Sequence, residues 1–123
     1  MTVTRSADAV VHAMHGSTFT SFVAPSSGSE QLCAWQLDVP AATPGMEHQV
    51  THEEVLLVLD GELHATVDGA VSTARTGDVL RVPAGSRFRA DTAGSHLRAW
   101  VVTSVGLEAV TGDGQRIAPP WTR

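Results

Sequence analysis

Between Thr43 and Glu62 the sequence reads TPGMEHQVTHEEVLLVLDGE, which sets His48, His52, Glu53 and Glu54 directly ahead of an apolar run that ends near Gly61. Imidazole and carboxylate groups can both be tuned to exchange protons near neutral pH, and together they also form a ligand set for divalent transition metals. A carboxylate held among aliphatic side chains is desolvated and its pKa rises, although a protonated imidazole beside it would pull that value back. His48 and Glu54 are therefore the candidates for moving a proton between two atoms of one bound molecule. The alternative stays open: a buried hydrogen-bonded pair, kept because an unpaired polar group inside a fold is costly.

The elements that must position these residues read as strands. From about Gly16 onward, short apolar segments alternate with Gly and Pro at close intervals, and almost none has a 3.6-residue apolar period. Strands are expected near Thr18 to Ala24, Gln31 to Val39, Glu47 to Val50, Glu54 to Leu59, Leu63 to Val67, Asp78 to Val82, Arg87 to Ala90 and His96 to Thr103. That pattern predicts an all-β sandwich or barrel. Asp60-Gly61 and Asp68-Gly69 are each expected to make a tight hairpin, and Pro83-Ala84-Gly85 a sharp reversal. Ser6 to Met14 reads equally as a helical turn capped by Ser6 or as extended chain. Pro119-Pro120 cannot continue a central strand, so Trp121 is expected outside the barrel or at a subunit contact.

Strand parity sorts the side chains. If Glu54 faces inward, Leu56 and Val58 do too, while Val55, Leu57 and Leu59 face outward. An outward apolar face needs covering, by the N-terminal strand or by a second subunit, and a homodimer is the expectation. Trp35 shares its parity with Cys33, Leu37 and Val39. It is a candidate wall for a flat apolar ligand, although core packing accounts for Trp35 and Trp100 as well. Arg81 and Arg98 either recognise a carboxylate or lie on a solvated outer face. Glu53, of opposite parity to Glu54, reads as a solvated neighbour. His64 alternates with core-facing Leu63 and Ala65, His96 lies on a later strand, and His12 and His15 read as surface residues.

Composition narrows the classes. A chain of 123 residues fits one domain, with an N-terminal strand region at 1–30, a barrel core at about 31–105 and a tail at 106–123. Hydrophobic residues make up 42 %, yet no apolar run is long enough for a membrane span, and Met1 to Val11 lacks the apolar core of a signal peptide. A cytoplasmic protein is expected. The eight basic residues are all arginine and are scattered, and with a net charge of −5 no basic stripe is available to a nucleic acid. The single cysteine, Cys33, precludes an intrachain disulfide and reads as a buried, inert thiol.

The spacing of Glu54 and Gly61, with His48 ahead of them, resembles the first motif of the cupin superfamily. Its pattern is two histidines separated by one residue, then a glutamate and a glycine. Gly77 to Phe88, GDVLRVPAGSRF, resembles the second motif, with Gly77, Pro83 and Gly85 in place. The resemblance covers roughly Leu37 to Val102 and implies a jelly-roll barrel, the double-stranded β-helix. It places Phe88 on the inner wall. Metal-binding cupins use two histidines and a glutamate from the first motif and a histidine from the second, a set suited to iron, manganese, nickel, copper or zinc. Here Val50 and Phe88 stand at two of those histidine positions. No cofactor is expected on this reading, unless His52 joins His48 and Glu54 as a displaced ligand.

Three functions follow. One is a metal-independent isomerase, cyclase or dehydratase, using His48 and Glu54 on a mostly apolar metabolite lined by Trp35, Val50, Leu56, Val58 and Phe88. Another is a metal-dependent non-haem oxygenase or related enzyme. The third is a ligand-binding or sensing module without catalysis.

Overall fold

The computed structural model describes residues 2–123, a chain of antiparallel strands with helix confined to 3-10 turns at Ser6–Asp8, Pro25–Ser27 and Pro120–Thr122. Among the described residues the strands are β1 (Val10–Met14), β2 (Ser17–Val23), β3 (Leu32–Val39), β4 (His48–Val50), β5 (Glu54–Val67), β6 (Ala70–Arg75), β7 (Val79–Val82), β8 (Arg87–Asp91), β9 (Leu97–Ser104), β10 (Ala109–Val110) and β11 (Arg116–Ile117). They run in the order β1-β2-β3-β9-β5-β8-β4-β10-β11, with β6 and β7 also paired to β5. The sheet curls around a core that takes Cys33, Trp35, Leu56, Val58, Leu63, Val82, Phe88, Leu97, Val101 and Trp121 from all along the chain. This is the jelly-roll barrel that the sequence predicts. No helix among the described residues is long and apolar enough to cross a membrane.

The hairpin expected at Asp60-Gly61 does not form. Asp-Gly between apolar stretches signals a turn, but here it marks a bulge inside one continuous strand, β5. Against β9 the register shifts between Val58, opposite Ala99, and Asp60, opposite Arg98. Gly61 takes the left-handed conformation at φ +80° that the bulge requires, and a Cβ on it would lie 1.7 Å from the carbonyl oxygen of His96. The bulge bends β5 from one sheet into the other. Glu54–Leu57 pairs with β7 and Glu54–Gly61 with β9, whereas His64–Val67 pairs with β8 and Glu62–Val67 with β6. Asp68-Gly69 does make the expected hairpin, with positive φ at both residues and Val67 opposite Ala70. Its second arm, β6, escapes the sequence reading because its inward positions, Ala70, Ser72 and Ala74, are small or polar while Val71 faces outward.

The termini differ from expectation in three ways. Ser6 does not cap a helical turn: Arg5 is the N-cap and no side chain caps it, and the chain then extends into β1. The tail contains two short strands, β10 and β11, that the sequence did not signal. Trp121 lies inside rather than outside: it is 8 % exposed and stacks on Phe19 with ring centroids 3.6 Å apart. The Ser21 hydroxyl donates to its carbonyl at 3.0 Å, fixing the turn that carries it. Because β1 pairs with β2 and β2 with β3, the N-terminal strand does not cover the outer face of β5. Val55, Leu59 and Val79 stay exposed there.

The two glycines separate backbone strain from steric conflict. Gly69→Ala places a Cβ in open space at φ +83° and is expected to cost about 1 kcal/mol. Gly61→Ala adds a collision with backbone and is expected to cost about 3 kcal/mol or more. Urea denaturation of the two variants checks the order, and equal losses would contradict the bulge.

Candidate functional site

Glu54 opens β5 on its inner face, between Val82 of β7 and Thr103 of β9. It is 6 % exposed, and Leu56 and Val58, the next inward positions, are buried beside it. Burial pushes its carboxyl up to about 7, and neither a neighbouring charge nor a hydrogen bond shares in that shift. The nearby Thr103 hydroxyl is committed elsewhere, donating to the Glu53 carbonyl at 2.7 Å. Such a carboxyl is close to half protonated at neutral pH and can give or take a proton. Glu53 points the other way, as its parity predicts, and forms an exposed ion pair with Arg81 at 2.9 Å.

His48 opens β4 opposite Phe88 of β8, and the two rings meet edge to face with centroids 5.9 Å apart. Phe88 and Val50 are buried while Arg87 and Arg89 are exposed, so the aromatic ring rather than a charge forms the inner wall. His48 Nδ1 lies 3.0 Å from the Met46 carbonyl oxygen. A carbonyl only accepts, so Nδ1 donates, and in the neutral ring Nε2 keeps the lone pair. His48 also borders a cleft of about 530 Å³ whose wall includes Glu47, Gln49, Asp68, Arg87 and Thr111. Glu54 is not in that wall. His48 thus sits between the polar cleft and the apolar interior.

The hydrogen-bonded His48–Glu54 pair, one of the two alternatives open in the sequence, is not made. β4 pairs with β8 and β10, whereas Glu54 pairs with β7 and β9 in the other part of the curl, and His48 does not contribute to the Glu54 shift. The displaced metal set of His48, His52 and Glu54 is not gathered either. His52 turns its Nδ1 to the Ser104 hydroxyl at 2.7 Å and lays its ring against Gly106, at the corner before β5. Among the described residues no three His, Cys, Asp or Glu side chains are placed to hold a metal ion. The donors present do not fit one.

The remaining candidates divide by face. Trp35 is 3 % exposed on the inner wall with Cys33, Leu37 and Val39. Burial raises the Cys33 thiol, whose sulfur donates to the Thr122 carbonyl at 3.4 Å. Trp100 faces the other way, half-buried against Phe22. Arg98 pairs with Asp38 and His96 with Asp60, each at 2.7 Å, and half-exposed His64 faces Thr73 at 3.3 Å. His12, read as a surface residue, is half-buried near Trp121. Sequence reasoning missed the two residues that complete the interior, Thr103 and Trp121. Parity would place Thr103 inward with Val101, whereas nothing local to Trp121 announces a partner on β2.

The Cupin domain family model matches residues 35–103. Among solved structures the chain is similar to an RmlC-like cupin from Shewanella frigidimarina NCIMB 400, with TM-score 0.73, 19 % identity, and 85 % of this chain and 90 % of that one covered. It is similar also to the polyketide cyclase RemF from Streptomyces resistomycificus, with TM-score 0.73, 15 % identity and coverages of 96 % and 82 %. KdgF from Halomonas sp. gives TM-score 0.72, 14 % identity and coverages of 84 % and 94 %. At these identities the likeness to the solved structures is one of fold. No curated protein matches the chain.

The Glu54 shift has a signed consequence for stability. Between pH 4.5, the ordinary value, and about 7, the unfolded chain releases this proton while the folded chain keeps it. Its contribution therefore falls as pH rises through that window and reaches a constant cost of about 3 kcal/mol above it. Glu54→Gln is expected to remove that cost, gaining on wild type by up to about 3 kcal/mol between pH 5 and pH 8. Denaturation at both pH values checks this, and parallel pH profiles for the two proteins would refute it.

Proposed function

The chain belongs to the cupin domain family, and from that premise we propose that it is a small-molecule enzyme of the isomerase, cyclase or dehydratase kind. Glu54 and His48 exchange protons with two ends of one mostly apolar substrate. The observation that carries the reading is the Glu54 carboxyl, buried among Leu56 and Val58 and titrating at about 7. Because His48 and Glu54 do not touch, the substrate itself must bridge them, with His48 Nε2 as the second proton acceptor. Val50 and Phe88, standing where the cupin pattern has histidines, support a wall that shapes a substrate rather than a set of metal donors. A polyketide cyclase among the fold neighbours is in keeping with this class.

The test is proton exchange. Apolar cyclic ketones with exchangeable protons beside the carbonyl are incubated in D2O, and deuterium uptake is followed by NMR. The wild type is expected to accelerate uptake, and Glu54→Gln to lose roughly 100-fold in rate with binding kept. Saturable binding without acceleration by the wild type would leave a ligand-binding module.

We also propose that the outer face of β5 takes a second copy of the chain. Val55, Leu57, Leu59 and Val79 form its apolar centre, ringed by the Arg81–Glu53, Arg98–Asp38 and His96–Asp60 pairs. An apolar centre with a polar rim is the anatomy of a protein interface. Light scattering on the eluted protein is expected to give twice the chain mass, and Val79→Lys to give one chain mass with unchanged circular dichroism. A monomeric wild type would overturn it.

A further inference from the structure

The outer face of the sheet formed by β8, β4 and β10 carries the polar cleft that His48 borders. Register lines its floor up across the strands. Arg87 is opposite Gln49, and Gln49 is opposite Val110. Asp68 is tied to Arg87 on the other side: its amide donates to the Arg87 carbonyl at 2.9 Å, and the Arg87 amide donates to Asp68 Oδ1 at 2.9 Å. Because Val50 and Phe88 point into the core, their neighbours Gln49 and Arg87 point out. Asp68, Arg87, Gln49 and Val110 thus form one row, and Glu47 borders the same cleft of about 530 Å³. That volume is within the range of small-molecule sites.

Arg87 differs from the other strand arginines. Arg75, Arg81, Arg89, Arg98 and Arg116 each pair with a carboxylate, on Glu62, Glu53, Asp91, Asp38 and Glu108. Arg87 has no carboxylate within ion-pair distance among the described residues, although Asp68 and Glu47 line the cleft with it. Its guanidinium is a donor only. Gln49 is held the opposite way: its Nε2 donates to the Gly85 carbonyl at 2.8 Å, so Oε1 is the end that can accept from a ligand. Along the row, Asp68 accepts, Arg87 donates, Gln49 accepts, and Val110 closes it with apolar surface.

That alternation selects a ligand. An anion on Arg87 would lie beside the carboxylates of Asp68 and Glu47, a cation on those carboxylates would lie beside Arg87, and charge pairs this exposed contribute little. A hydroxyl both donates and accepts, so a neutral polyol meets each position without bringing a charge, and its bonds to the charged groups are among the stronger ones. Neighbouring strands lie roughly 4.8 Å apart, about the separation of hydroxyls on opposite sides of a pyranose ring. One ring can accept from Arg87 and donate to Asp68 or Gln49 at once, with C–H groups against Val110.

We propose that this outer cleft is a binding site for a neutral sugar, recognised by the alternating row of Asp68, Arg87 and Gln49. The site goes beyond the proton-transfer reading, because Glu54 has no part in it and binding here does not require turnover.

The probes are D-glucose, D-galactose, D-mannose and D-xylose, each titrated into the ¹⁵N-labelled full chain and followed through its backbone amides. Glycine and sodium acetate serve as the zwitterion and the anion. At least one sugar is expected to give saturable shifts centred on the amides of Gln49, Asp68, Gly85, Arg87 and Gly112. Arg87→Met is expected to weaken that binding on the order of tenfold with circular dichroism unchanged. Arg89→Met removes an ion-paired guanidinium from the same face of β8 outside the cleft, and is expected to leave the binding as it is. The site is overturned by no saturable response to any of the sugars, by shifts centred elsewhere, or by a loss in Arg87→Met no greater than in Arg89→Met. Tighter binding of glycine or acetate than of every sugar overturns it as well. None of these outcomes depends on deuterium exchange by the wild type, so this site and the proton-transfer reading stand or fall separately.

Discussion

The bend in β5 is the constraint on which the rest of the barrel depends. One strand must serve two sheets, and it can do so only where its backbone passes directly beneath the His96 carbonyl at Gly61. Before the bend, β5 presents Glu54, Leu56 and Val58 inward; after it, Leu63 and Ala65 take over that face. The register shift at the bulge keeps apolar residues pointing to the core on both sides of the bend. Glu54 is buried because it opens the first of those inward series, flanked by β7 on one side and β9 on the other.

That burial gives the interior its character. The wall is aliphatic and aromatic, and the Glu54 carboxyl within it has neither a cation nor a donor beside it, whereas the buried Thr103 hydroxyl is paired with the Glu53 carbonyl. Meanwhile the acidic and basic residues of the outer face pair with one another, as Arg81 does with Glu53 and Arg98 with Asp38. Ion pairs lie on the outside, and Glu54 is the one buried charged group among the described residues. His48 joins the two regions through an anchored Nδ1 and a free Nε2.

Much of this was legible in the sequence, and the reason is periodicity. Alternation placed Glu54, Leu56, Val58, Trp35 and Cys33 inward and Glu53, Arg87 and Arg89 outward, and the two cupin-like motifs located Phe88. The hairpin expected at Asp60-Gly61 is a bulge instead, because a dipeptide that accepts positive φ suits a bulge as well as a hairpin. A hydrogen bond between His48 and Glu54, one of two alternatives open in the sequence, does not form, because closeness in sequence does not make strands neighbours: theirs pair with different partners across the curl. Strand β6 was missed because its inward residues are small or polar and Val71 faces outward, and Trp121 because a tail without periodicity carries no sign of where it docks.

The docking of Trp121 on Phe19 bears on how the barrel assembles. The bond from Ser21 to the Trp121 carbonyl joins positions 100 residues apart, and β3 pairs with β9 along its whole length. Contacts of such separation carry a loop-closure entropy cost that must be offset by the stacking and pairing they bring. The barrel is accordingly a fold of high contact order. It is expected to fold on the slow side for its size, with the closure of the tail onto β2 among the long-range contacts that set that rate.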